Sequence, residues 1–401
     1  MITNLDSFLM QIRSLTVFRE LLDDPVIAAL SKFLKEDNDG SDAVDNWCAF
    51  VSTLYKSGTA NLSKYVSERV RTCDNPLVRL IGEGKTAPEA MLKSAENELS
   101  VLSDIASLTP KKLREGIHYD GRLPEWTVSE VNLIAEFREQ IDNIEKHGYG
   151  IYAKHRSFYL DRGVITPIEC PDGIRLSELI GYQREKKLII DNTRALLEGK
   201  PAANILLTGD AGTGKSSTVK AVVNELWDEG LRILELKKHE LHSLPEILHE
   251  LNRNPLRFII FVDDLSFTGN DDNFSALKAI LEGSVSAKAQ NVVIYATSNR
   301  RHLIKEKFSD RDGDDVHRND TVQETVSLSE RFGLQITFSR PDKATYLEIV
   351  QHLCDEHGIR YIPEKLETAA EKFALSRASR SARAAKQFVD MLLSGSDEDI
   401  N

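Results

Sequence analysis

The string Gly209-Asp210-Ala211-Gly212-Thr213-Gly214-Lys215-Ser216 constrains this chain more than any other feature. An apolar run, Ile205-Leu206-Leu207, precedes it, and Val219, Val222, Val223 and Leu226 follow at helical spacing. Strand, G-x-x-x-x-G-K-[ST] and helix in that order form a phosphate-cradling unit. The glycines let the backbone curl so that successive N–H groups point at phosphate oxygens. The helix from about Ser217 to Glu225 aims its positive end at the same anion. Lys215 is expected to reach the β- and γ-phosphates as a point charge, and the Ser216 hydroxyl to bind Mg²⁺. The bland alternative is a glycine-rich turn that holds nothing, which the flanking strand and helix disfavour.

Two more strand ends carry polar groups. Phe258-Ile259-Ile260-Phe261-Val262 runs into Asp263-Asp264. Asp263 is expected to hold the metal through water, and Asp264 to orient the attacking water as a general base. Val292-Val293-Ile294-Tyr295-Ala296-Thr297-Ser298 runs into Asn299, whose amide can hydrogen-bond both water and γ-phosphate. Alone, an Asn after a strand is a common turn former. In a parallel sheet, strand C-termini converge on the ligand crevice, so the three ends belong together.

Around this centre the chain divides by pattern. Residues 1–150 read as helices: Phe8, Ile12, Leu15, Phe18 and Leu22 share one face, and Asp24-Pro25, Asn75-Pro76 and Ala87-Pro88 read as helix starts. Residues 151–200 hold a hairpin across Ser157–Ile168 and a linker. Residues 201–340 alternate strands (Asn204–Thr208, Leu231–Leu236, Phe258–Asp263, Val292–Thr297, Leu334–Phe338) with helices, the signature of a parallel α/β sheet. Residues 341–394 are helical again, and 395–401 form an acidic tail expected to be disordered.

Composition excludes several classes. With 401 residues, 41% hydrophobic and 28% charged, the chain can build two or three cores. Its four cysteines are scattered with no C-x-x-C pair, which speaks against a zinc site and for a reducing, cytoplasmic setting. Met1 to Leu9 lacks a basic segment leading into a long apolar stretch, and no window is apolar enough to span a bilayer. A net charge of −12 disfavours nonspecific duplex binding. None of the ten histidines stands in H-E-x-x-H spacing, and no G-x-S-x-G elbow is present.

The phosphate loop, acidic strand end and strand-end Asn, followed by an Arg and a helical segment, resemble the AAA+ ATPases. The match is closer to one subfamily of them, filed as domain of unknown function 815. The residues carrying it are Leu179-Ile180-Gly181-Tyr182-Gln183-Arg184-Glu185-Lys186, the loop through Ser217, Asp263-Asp264-Leu265-Ser266-Phe267 and Thr297-Ser298-Asn299-Arg300-Arg301-His302-Leu303. Leu328-Ser329-Glu330-Arg331-Phe332-Gly333-Leu334 and the Arg380 to Asp390 helix continue it. The resemblance implies an α/β P-loop fold: a five-stranded parallel core of order 5-1-4-3-2, a C-terminal helical lid and an all-α N-terminal domain.

The resemblance also implies roles. Arg331 matches an arginine finger acting in trans within a homo-oligomer, although pairing with Glu330 or another acid is the plainer alternative. Arg383 matches the lid's sensor arginine, with Arg380 as competitor. Ile180, Gly181 and Tyr182 match the stretch contacting adenine, where a plain linker is the alternative. The acidic strand end departs from the common Asp-Glu: Asp264 is one methylene short, which puts turnover in question more than ATP binding. The polar stretch between Asn299 and Arg331 reads either as a solvated loop or as an element that reports nucleotide state to a partner. The function expected is an ATP- and Mg²⁺-dependent hydrolase remodelling an unidentified protein client. The alternatives are a slow or non-hydrolysing ATP-dependent switch or scaffold, and, against the acidic charge, a nucleic-acid loader.

Overall fold

The computed structural model describes residues 5–35, 41–114, 117, 119–265, 277–278, 280–281, 290–299, 330–377 and 379–395. Arg300, Arg301, Ser266, Phe267, the polar stretch up to Ser329 and the tail from Ser396 lie outside the described residues. The chain forms two compact units, Met1–His155 with Arg253–Leu256, and Arg156–Asn252 with Arg257–Asn401.

The first unit is helical, and its helix starts are set by side chains. Asp24 Oδ1 accepts the N–H groups of Val26 and Ile27, and Asn75 Oδ1 those of Leu77 and Val78, each ahead of or beside a proline in the first turn. Asn61 caps Leu62–Thr72 in the same manner through Lys64 N–H. One apolar cluster holds the unit together, centred on Phe33, Trp47, Phe50 and Trp126. The single amphipathic run expected from Phe8 to Leu22 is in fact broken. Helix Leu5–Arg13 ends, and a 3-10 turn occupies Arg19–Asp23. The buried Glu98 carboxylate accepts Val17 N–H (3.1 Å) and Phe18 N–H (2.9 Å), satisfying donors that a continuous helix would have used itself.

The second unit is a seven-stranded sheet with helices packed on it. The strands are β1 (Ser157–Asp161), β2 (Val164–Pro167), β3 (Ile205–Gly209), β4 (Leu231–Leu236), β5 (Arg257–Val262), β6 (Val292–Ser298) and β7 (Leu334–Phe338). Their order is β2-β1-β4-β5-β6-β3-β7. The strands β3 to β7 are the expected five, all parallel, in the expected 5-1-4-3-2 order. The expected total of five strands is corrected to seven. The hairpin does not stand alone: β1 pairs parallel with β4, and β2 pairs antiparallel with β1. Burial is the reason, since Phe158, Leu160 and Ile165 are all inside. The edge is left to β2, whose four residues end in Pro167, a short proline-bearing strand of the kind that discourages further pairing.

The central strands β3, β5 and β6 are buried along nearly their whole length, as strands inside a parallel sheet are, whereas the outer β7 alternates and exposes Gln335 and Thr337. Ile205, Leu207, Ile259, Phe261, Tyr295, Ile336 and Phe338 meet Val219, Val222 and Ile189 from the helices Lys215–Leu226 and Gln183–Leu197. The C-terminal helices Lys343–Glu356, Pro363–Ser376 and Ala382–Leu393 carry their own cluster, including Tyr346, Val350, Leu366 and Phe388. Among the described residues no helix is long and apolar enough to cross a membrane.

Candidate functional site

The parallel register brings the C-termini of β3, β5 and β6 to one edge, and each is followed by a residue singled out in the sequence. The loop leaving β3 is shaped by glycines at two decisive points. Gly209 has φ +135° and lies opposite Phe338, where a Cβ would meet that residue's carbonyl oxygen at 2.1 Å. Gly212 has φ +79°, and a Cβ there would meet Arg383 Cβ at 2.8 Å. Side chains are therefore excluded where the loop passes β7 and the last C-terminal helix. The Thr213 hydroxyl donates to Asp210 O and tightens the turn, while Ala211 is exposed at its tip. Gly214, with φ +90°, caps the helix that follows, and Ser217 sits half-buried in that helix's first turn.

Lys215 is buried, and its Nζ donates to Gly209 O (2.9 Å), Asp210 O (2.8 Å) and Asn299 Oδ1 (3.0 Å). Burial pushes its pKa below the ordinary lysine value. The carboxylates of Asp263, Asp210 and Asp264 oppose that shift, and the Arg383 guanidinium adds to it. Asn299 reaches onward, its Nδ2 donating to Asp264 Oδ1 at 2.9 Å. Asp264 has φ +52°, a left-handed conformation that costs most residues roughly 1–2 kcal/mol and that Asp tolerates best after Asn and Gly. The turn is held by Thr297, whose Oγ1 accepts Asp264 N–H (2.9 Å) and whose carbonyl accepts Leu265 N–H (2.7 Å).

Asp263 Oδ1 accepts two hydroxyls, Ser216 Oγ at 2.6 Å and Thr297 Oγ1 at 2.5 Å. Ser216 and Asp263 thus present hard oxygen donors side by side, the donor set Mg²⁺ takes when substrate phosphates and water complete its shell. This fits a P-loop metal better than a dedicated cage, and among the described residues no cluster of three or more His, Cys, Asp or Glu forms one.

The remaining sequence candidates fall into place unequally. Tyr182, at the start of the helix Gln183–Leu197, lies over Phe338 with ring centroids 4.9 Å apart, and its hydroxyl donates to Ser339 O at 2.6 Å. Its pKa is raised to about 12 by burial first, then by Glu185 and Asp210. Gly181 faces Thr345 of the first C-terminal helix, and Ile180 packs on that helical cluster. Of the competing arginines, Arg383 borders the loop: its backbone N–H donates to Gly212 O at 3.2 Å. Arg380 is engaged elsewhere, in a two-pronged pair with Glu371 (3.0 and 2.7 Å) that raises its own pKa.

Arg331 is not gathered into this site. It stands three residues before β7, whose first residue pairs with Ile205 at the start of β3 and whose last pairs with Gly209 at the loop. The length of β7, about 13 Å at ~3.3 Å per step, therefore separates it from its own loop.

Two groups at the site were not anticipated. Thr297 bridges Asp263 to the backbone of Asp264, and Arg340 Nε lies 3.2 Å from Asp210 Oδ2. A hydroxyl closing an apolar strand and an arginine just before Pro341 were the signals available. A cavity of ≈ 520 Å³ in the first unit mixes cations and acids, Lys64 and Arg71 beside Glu68 and Glu136, with no glycine loop or strand end in its lining.

A family model described as "Protein of unknown function (DUF815)" matches residues 153–396. A search of curated proteins found no match. Among solved structures, the RuvB Holliday junction branch migration motor of Thermotoga maritima aligns at 18% identity, covering 57% of this chain and 68% of that one, with TM-score 0.39. A point variant of the same motor aligns at 19% identity over the same shares, again at TM-score 0.39. The phosphate loop and the 5-1-4-3-2 parallel core give the second unit its AAA+ P-loop architecture. With the family match spanning more than half of its length, the chain belongs to the DUF815 family.

Proposed function

We propose that this chain binds ATP with Mg²⁺ at the Gly209–Ser217 loop and hydrolyses it, using the energy to change its own conformation and remodel a protein partner. One observation carries the reading. Lys215, Asn299 and Asp264 form one hydrogen-bonded chain, beside a Ser216–Asp263 oxygen pair, all at the C-terminal ends of adjacent parallel strands.

In this reading Lys215 exchanges its backbone acceptors for β- and γ-phosphate oxygens, and the N–H groups of residues 212–217 cradle the anion. Ser216 and Asp263 would hold Mg²⁺, which when bound neutralises charge on the phosphoryl oxygens. Asp264 accepts a proton from water, and Asn299, already bonded to its carboxylate, sets the direction in which it points. Tyr182, Gly181 and Ile180 wall the adenine side, and Arg383 approaches from the helical lid. Arg331 serves the site of a neighbouring copy, since β7 holds it away from its own loop. A homo-oligomer is thus part of the proposal.

Phosphate release measured against protein concentration tests this. Specific activity should rise with concentration, and Arg331→Ala should still bind ATP while losing roughly 10³-fold or more in turnover. Activity that is independent of concentration and indifferent to Arg331→Ala would remove the trans arrangement.

A second reading has an observation of its own. Asp264 is a methylene shorter than glutamate and is tied to Asn299 and, through its backbone, to Thr297. A base so restrained suits a slow switch that binds ATP and holds it. Turnover absent at every protein concentration, with ATP binding intact, would favour this reading.

A further inference from the structure

A loop that receives polyphosphate carries, as its second residue, a carboxylate. Asp210 is exposed, yet its backbone carbonyl accepts Lys215 Nζ at 2.8 Å, so the acid sits on the residue that holds the loop's lysine. An uncompensated negative charge there repels the anion that the backbone attracts, well within a Debye length. Arg340 is the compensating cation, with Nε 3.2 Å from Asp210 Oδ2.

The placement of Arg340 is built by the fold. Phe338, two residues earlier, is in register with Gly209 and leaves no room for a Cβ there. The Ser339 carbonyl is held by the Tyr182 hydroxyl. Pro341 follows and biases Arg340 towards extended backbone. Asp342 then caps the first lid helix by accepting Thr345 N–H at 2.8 Å. The segment leading into the lid is therefore clamped on both sides of Arg340, and its guanidinium is delivered to the loop's own acid. Both partners are about half exposed (53% each), and a pair of that kind adds little to folding stability. Its effect falls on the charge of the loop instead.

We infer that Arg340 is a positioning residue for nucleotide binding: it neutralises Asp210, keeps the loop receptive to a polyphosphate, and ties that receptivity to the root of the lid. The inference rests on the ATP reading and deepens it.

Calorimetric titration of ADP with Mg²⁺ into four full-length proteins tests it: wild type, Arg340→Ala, Arg340→Lys and Asp210→Asn, with the Asp210→Asn/Arg340→Ala double variant closing the cycle. Arg340→Ala should raise Kd roughly five- to tenfold with its melting temperature nearly unchanged. Arg340→Lys should stay within about threefold of wild type, because the charge is kept. Asp210→Asn should bind at least as tightly as wild type, and in its background Arg340→Ala should lose most of its effect. Equal losses from Arg340→Ala in both backgrounds would overturn the inference, since the arginine would then act on the nucleotide or the lid directly. So would weaker binding by Asp210→Asn, a readout that stands even if Arg340→Ala fails to fold. Wild-type protein that takes up no ADP would bring down the ATP reading and this inference with it, whereas wild-type binding that Arg340→Ala leaves unchanged would remove the inference alone.

Discussion

At the scale of single residues, the site is organised by short polar side chains on rigid strand ends. Thr297 is the least conspicuous of them and does two things: it donates to Asp263 and accepts from Asp264 N–H. Adjacent acids are thereby sent in different directions, Asp263 towards Ser216 and Asp264 towards Asn299. This division of labour makes a specific prediction. Asp264→Asn should bind ATP with near wild-type affinity in an equilibrium titration, yet lose about 10²-fold or more in phosphate release, the range expected on removing a general base. Equal loss of binding and turnover would mean that Asp264 holds the loop together. The main residues of the site were legible because G-x-x-x-x-G-K-S and strand-terminal acids combine types and spacing that little else requires. Thr297 and Arg340 were not, because a hydroxyl at a strand end and an arginine before a proline are ordinary turn residues until their neighbours in space are known.

At the scale of elements, the five core strands were readable to within a residue or so. Buried parallel strands are continuous apolar runs bounded by polar turns, and that pattern is local. What failed was non-local. The hairpin Ser157–Pro167 shows the same alternation whether it stands free or adds to a sheet, and only its pairing with β4 decides the matter. The break after Arg13 depends on Glu98, some eighty residues away, whose carboxylate takes the N–H groups of Val17 and Phe18. The hairpin's contribution can be measured. Phe158 is fully buried, so Phe158→Ala should cost about 3–5 kcal/mol in denaturant unfolding of the sheet unit. A cost under about 1 kcal/mol would show the hairpin to be a detachable flap and the seven-stranded sheet an effectively five-stranded one.

At the scale of the whole molecule, the second unit gathers the groups proposed to bind phosphate, hold metal and orient water at the C-terminal ends of adjacent strands, with the backbone N–H of Arg383 bonded to the same loop. Arg331 lies a strand's length away, which is what makes a second copy part of the proposal. The proposed motor, the slow switch and the arrangement of copies all depend on one event, the capture of a triphosphate by the loop around Lys215. Calorimetry of Mg²⁺·ATP titrated into wild-type protein and Lys215→Ala tests that event directly. The account predicts one saturable site per chain in the wild type and no measurable heat of binding in the variant. No binding in the wild type, or equal binding in both proteins, would contradict it.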